Sequence, residues 1–375
     1  MKKLDTEAKL SREAVMSILL RVLGISVLCI AAAAAASPAR AQFYEGKTLT
    51  LMVNYAAGGT TDVAGRVFAR HLPRYLKGEP TVIVANRPGA GGLVGLSYLG
   101  SGAVKPDGLT ACFCVVNVVA PIIGHAALKV TYDKFIYIGG AAEVNLAYGR
   151  RDIPPGMTSN ADLAKAQTVF AAGYNPTAVQ DIRLKFSLDL LGVKYQMITG
   201  FRGANKVLQA IAQKEANFAA TSVSGYISQV KPNLVATGVA MPFFYFPMSR
   251  EGGGYYAVKE IEAMGIPSFH DYYVKLRGEP PSGPVWNAFQ LINDLGSAML
   301  RAVLLQTAAP RQAVDELRAA IAGLAGDERF LKEYTRINGL PPDMVDSERG
   351  TRLLERLNKV EPETAAILKK IVAQK

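Results

Sequence analysis

The chain has 375 residues, 50% hydrophobic and 19% charged, with a formal net charge of +11 at pH 7. Its basic residues are spread along the sequence rather than massed in runs, which argues against a nucleic-acid-binding arm and for a mildly basic surface that favours anionic ligands. Three cysteines and three histidines show no metal-ligand spacing, so neither a metal nor a cofactor is expected.

Basic residues (Lys2, Lys3, Lys9, Arg12, Arg21) precede an apolar run at 22–36, followed by Ala39-Arg40-Ala41. This order is that of a cleavable secretory signal, with cleavage expected after Ala41 and translation starting at Met1 or Met16. The run is shorter than the roughly 20 apolar residues a membrane span needs. Removing 1–41 takes away six basic and three acidic residues and leaves a charge of +8 on 334 residues. That length suits two domains in a periplasmic protein. Cys112 and Cys114 remain, two residues apart in a β-like run. The spacing fits disulfide geometry poorly, and two small core thiols are expected.

Segments of strand and helix character then alternate, predicting an α/β fold with largely parallel sheets. The first strand covers 47–54, and a glycine turn leads to a helix from about 61. Val63, Val67, Phe68, Leu72, Tyr75 and Leu76 share one face of that helix. The unit repeats as strand 81–85, turn 86–92 and helix 93–99. Pro106-Asp-Gly108 marks a turn before the strand at 109–116. An extended apolar stretch covers 137–148. A second series follows: strand 168–172, a helix capped by Asn175 with Pro176 at its first position, strand 195–199, helix 205–214 and strand 217–221. The apolar stretch 234–246 leads back to the first domain. Helical patterns cover 255–264, 285–305, 311–337 and 361–372. The expected organisation is a signal peptide at 1–41, a discontinuous first domain at 42–147 and 240–375, and a second domain at 148–239.

Four glycine-bearing turns lie between a strand and a helix start, at 57–62, 88–92, 173–176 and 200–204. A helix start leaves amides unpaired and carries positive charge, and glycine lets an anion approach the backbone. In parallel α/β sheets such turns gather at the carboxyl ends of the strands. Two in each half of the chain predict a cleft walled by both domains.

The stretch Leu51-Met-Val-Asn-Tyr-Ala-Ala-Gly-Gly-Thr-Thr-Asp-Val-Ala-Gly-Arg66, with Asn86-Arg-Pro-Gly-Ala-Gly-Gly92 and Pro106-Asp-Gly108, resembles the receptors of tripartite tricarboxylate transporters, the Bug-type solute-binding proteins. Weaker likeness runs through Phe201-Arg-Gly203 and the C-terminal helices. The resemblance implies a two-domain flytrap of periplasmic-binding-protein type. It implies a small carboxylate held by amides and hydroxyls of the first two turns, and delivery to two integral-membrane transporter subunits. By position, the ligand residues would be Gly58, Gly59, Thr60, Thr61 and Asp62, then Gly89, Ala90, Gly91 and Gly92, with Asn117 as a third contact. From the second domain come Gly173, Asn175, Arg202, Gly203, Thr221 and Ser222. Asp62 either meets the ligand or only charge-matches its helix start. Arg202 either clamps a carboxylate or lies on the surface.

Where relatives have small hydroxyl residues, this chain has Val115 and Val116, and Tyr174-Asn-Pro176 replaces a serine-rich helix start. A carboxylate with an apolar or aromatic body is therefore expected. The chain offers no nucleotide-binding fingerprint in proper context, no nucleophile elbow and no catalytic histidine pair, so a monomeric non-enzyme is expected. The alternative is a periplasmic ligand-binding module that reports to a signalling partner.

Overall fold

The computed structural model describes residues 42–250, 252–357 and 359–374; the expected signal peptide lies outside the described residues. Two mixed sheets organise the chain. The first has the order β11 (Asp343–Val345), β4, β10, β3, β1, β2, and the second β7, β6, β8, β5, β9. The α-helices of eight residues or more are numbered α1 to α10 below, apart from the π-helix Tyr226–Val235.

In the first sheet β1 (Thr48–Val53) pairs in parallel with both β2 (Thr81–Asn86) and β3 (Thr110–Cys114). Parallel neighbours need crossovers, and α1 (Thr60–His71) and α2 (Leu93–Gly100) supply them. The inner face of α1 buries Ala64, Val67 and Phe68, and Phe68 packs edge-on against Phe330.

The sequence reads 285–305 as one helix. The structure ends α6 (Pro284–Ala298) there and turns into β10 (Arg301–Gln306), antiparallel to both β3 and β4 (Phe135–Ala142). A short apolar run has no period that separates a buried strand from a buried helix, so this strand was hidden. The extended stretch at 137–148 likewise divides. β4 stays in the first sheet, and β5 (Asn145–Arg150) enters the second, where it runs antiparallel to β8 (Phe218–Ser222) and β9 (Ala240–Tyr245). Only β6 (Val169–Ala172), β7 (Tyr195–Ile198) and β8 keep the parallel arrangement there. The sheets are therefore mixed rather than largely parallel: strands that carry the chain between layers arrive from the opposite direction.

The second sheet is covered by α3 (Val179–Leu191) and α4 (Ala204–Ala212), with α6 packed against α3. Two helices absent from the sequence reading appear, α5 (Phe269–Arg277) and α9 (Ser347–Leu357), and only Lys259–Glu262 of the expected helix at 255–264 is helical. The pattern at 311–337 divides into α7 (Arg311–Leu324) and α8 (Glu328–Asn338). The break has a local cause: the Asp327 carboxylate accepts the amides of Arg329 and Phe330 and restarts the helix.

Buried cations tie the layers together. Lys185 donates to the carbonyls of Ile371, Val372 and Gln374, at the end of α10 (Pro362–Ala373), where carbonyls lack helical partners and the helix dipole is negative. Cys112 and Cys114 are joined as a disulfide, which corrects the expectation of two free core thiols. Alternate residues of a strand face the same side, and the Cα separation of 5.4 Å lies within disulfide reach.

A cationic cavity between the two sheets as candidate ligand site

The site is built from strand ends. β1 delivers the chain to the turn at 54–59 and the start of α1. β6 leads to the turn at 173–178 and the start of α3, and β7 leads to the turn at 199–203 and the start of α4. A cavity of about 230 Å³ lies where these starts meet. Thr60 and Thr61 line it from α1, Val179 and Gln180 from α3, and Ala204 to Lys206 from α4. These helices have 12, 13 and 9 residues, long enough for a full dipole, and the first-turn amides of a helix have no partner within it.

The side chains add charge of the same sign. Arg183, Arg202 and Lys206 line the cavity, and no Asp or Glu is among its lining residues. Arg202 is exposed and makes no hydrogen bond or ion pair among the described residues; Lys206 is exposed and donates to Gln209. Arg183 is 1% exposed. Burial pulls its guanidinium down to about 9, against the pull of Asp294 in the other direction. Tyr55, Tyr174, Val115 and Leu300 form a less polar wall. Burial pushes the phenols of Tyr55 and Tyr174 upward, so they stay protonated and can donate.

A second cavity of about 380 Å³ adjoins the first and shares Tyr55, Ala56, Tyr174, Arg202 and Gly203 with it. The glycine turn Gly89, Ala90, Gly91 and Gly92 lines this second cavity. Gly91 has φ of 62°, and a Cβ there would stand 2.0 Å from the Asn175 amide nitrogen. Glycine is what lets the two turns pack face to face.

The expected ligand residues thus divide. Gly59, Thr60, Thr61, Arg202, Gly203, Thr221 and Ser222 meet in the first cavity, while Gly89 to Gly92 lie in the second, again beside Arg202 and Gly203. Gly58, Asp62, Asn117, Gly173 and Asn175 line neither. The Asp62 carboxylate accepts from the Gly58 amide, Arg66 and Asn86. Burial raises this carboxyl, but those donors outweigh it and hold it below the ordinary range. Asn117 caps the short helix Val119–Ile123 through the amides of Val119 and Ala120. Asn175 accepts from Thr177 and orders its own turn, and Gly173 leaves room for the Asp181 carboxyl. Burial pushes Asp181 well above the ordinary range, which disfavours negative charge beside the cavity.

Sequence reasoning missed Arg183, Lys206, Asn145 and Gln180. A signal for the first was present: Asp181, Arg183 and Lys185 alternate with apolar residues and so fall on no single face of a helix. A helix so patterned, if buried, must bury charge, and all three are buried.

Strand-end turns from two α/β layers, converging on one cleft, define a two-lobed protein of the periplasmic-binding-protein fold. The solved structure of the periplasmic binding protein BugD superposes with a TM-score of 0.63 at 20% identity, covering 88% of this chain and 99% of that one. R. palustris Rpa4515, solved with adipate, gives 0.65 at 17% identity over 86% and 97%. In sequence, protein BugT of Bordetella pertussis is 42% identical over 90 residues, which are 24% of this chain. The chain spans about a quarter (26%) of the length of the curated relatives it matches first. No family profile matches it. The chain therefore shares the fold of these periplasmic binding proteins, and 90 of its residues are similar to protein BugT.

Proposed function

We propose that the protein is an extracytoplasmic receptor that captures a small organic acid in the cleft. We further propose that it delivers the acid to the membrane subunits of a tripartite tricarboxylate-type transporter, after cleavage of a signal peptide behind Ala41. One observation carries the reading: three helix starts and three cations face a single cavity whose lining has no carboxylate. Such a site rewards negative charge twice, through fixed dipoles and through full charges. Its volume suits a compact ligand, and Tyr55, Tyr174, Val115 and Leu300 favour an apolar or aromatic body. Rpa4515, which shares the fold, holds adipate.

Aliphatic and aromatic carboxylic acids and their primary amides should be screened by thermal shift and then titrated by calorimetry. At least one acid is expected to bind with a Kd in the micromolar range, about −8 kcal/mol, and its amide at least tenfold more weakly. Equal binding of acid and amide, or a preference for a cationic ligand, would refute the reading.

Gly59→Val should then weaken that acid at least tenfold while leaving the melting temperature nearly unchanged. The backbone there has φ of −76°, ordinary for any residue. A new Cβ would meet only the Ala56 carbonyl, at 3.3 Å. Further methyl groups would intrude on the cavity that Gly59 lines. Unchanged affinity in the valine variant would show that the ligand does not approach this turn.

A further inference from the structure

The helix α3 carries a guanidinium that its surroundings do not neutralise. Arg183 is 1% exposed and lines the cavity. Its Nε donates to the Asn293 side-chain oxygen at 2.8 Å, and Nη2 donates to the Asn293 carbonyl at 2.8 Å and to Ser297 Oγ at 2.6 Å. Nη1 donates to Asn145 Oδ1 at 3.1 Å. All four acceptors are neutral. Among the described residues no carboxylate stands within ion-pair distance; Asp294 acts on it only from farther away. A guanidinium has five N–H groups, and the four bonds use Nε, both hydrogens of Nη2 and one of Nη1. The fifth, on Nη1, is left. It belongs to the nitrogen that reaches Asn145, itself a lining residue of the same cavity.

Burying a cation without a counter-charge is strongly unfavourable. A structural tie between α3 and α6 would not require the charge, because a neutral donor could reach Asn293 and Ser297. We propose that Arg183 is the charged anchor of the cavity, donating its remaining Nη1 hydrogen to a carboxylate oxygen of the bound acid. This rests on the reading that the cavity takes an acid, and it adds which end of the cavity fixes the acid group. Arg202 and Lys206 stand on the solvent side, so they attract the anion, whereas the buried guanidinium fixes its position. The three amide and hydroxyl partners hold the guanidinium plane still, which preorganises it for one orientation of the carboxylate.

The test uses bromide and a titrated acid, so that failure of the anchor and failure of the acid-receptor reading are separable. Crystals of the wild-type protein soaked in bromide should show an anomalous peak within contact distance of Arg183 Nη1. Bromide found only at Arg202, Lys206 or the outer surface would overturn the anchor, whatever the organic ligand proves to be. In calorimetry with benzoate and adipate, using whichever binds, Arg183→Gln should lower affinity by about 10- to 100-fold, the range of one charge-assisted hydrogen bond. Arg183→Lys should recover part of it. The acid-to-amide preference should collapse in the glutamine variant. If that variant loses acid and amide equally, or binds the acid like wild type, Arg183 is a structural tie only. If wild type binds no acid yet bromide sits at Nη1, the receptor reading fails and the anion site stands.

Discussion

Reversing both solvent-side cations, Arg202→Glu with Lys206→Glu, is expected to lower affinity for the bound acid at least a hundredfold. Both side chains are exposed, and neither holds an ion pair among the described residues, so the fold should be indifferent. Exposed substitutions of this kind usually shift stability by no more than about 0.5 kcal/mol. The ligand is not indifferent. Near a surface, turning one attraction into one repulsion costs on the order of 1.5 kcal/mol, and two reversals, about 3 kcal/mol, exceed the roughly 2.7 kcal/mol of a hundredfold change. The association rate should fall most at low salt, where screening is weakest. Calorimetry and stopped-flow fluorescence at two salt concentrations check this. An affinity within threefold of wild type would show that the two cations do not act on the ligand.

The second large effect concerns stability. Glu143→Gln is expected to lower the melting temperature by about 6–10 °C. The Arg301 side chain is fully buried and that of Glu143 is 13% exposed. Arg301 donates through Nε and Nη2 to the Glu143 carboxylate, and through Nη1 and Nη2 to the Thr60 carbonyl and Ser224 Oγ. Glu143 in turn accepts the Ser224 amide. One ion pair therefore links the start of α1, the crossing between the sheets and the segment after β8. Glutamine preserves the shape but leaves a buried guanidinium without its counter-charge, which costs about 3–5 kcal/mol. For a chain of this size each kcal/mol moves the midpoint by roughly 2 °C. Differential scanning calorimetry decides it, and a midpoint within one degree of wild type would show that the pair contributes nothing net. Because the same cation holds the Thr60 carbonyl, acid binding should weaken in this variant as well.

What the sequence disclosed and what it hid follow from the range of the interactions. The run from Thr48 through Gly59 into α1 is local: a β-branched strand, a glycine turn and an apolar helical face, each legible by its period. The same holds for the glycine-rich turns at 88–92 and 200–204, where Gly89, Gly91, Gly92, Gly200 and Gly203 have positive φ. β10 was illegible because its central residues, Ala302 to Leu305, are apolar in any register and its partners are distant in sequence. Asp62 is placed where the sequence left two readings open, and Asn117 at the short helix it caps. Both are polar and stand at ligand-like positions, but their hydrogen bonds close locally on helix starts. Arg183 was missed because a charged residue in a helix reads as solvated, and its burial depends on Asn293 and Ser297, more than 100 positions away.

The central claim is that an organic acid sits between the start of α1 and the start of α4, and a crystal structure with the tightest acid from the titrations tests it most directly. The expected density places a carboxylate within hydrogen-bond reach of the Thr60 and Thr61 amides or of Arg183, with the body of the acid against Tyr55 and Tyr174. An acid bound only beside Gly89 to Gly92, or on the outer surface with the cavity holding solvent, would contradict it.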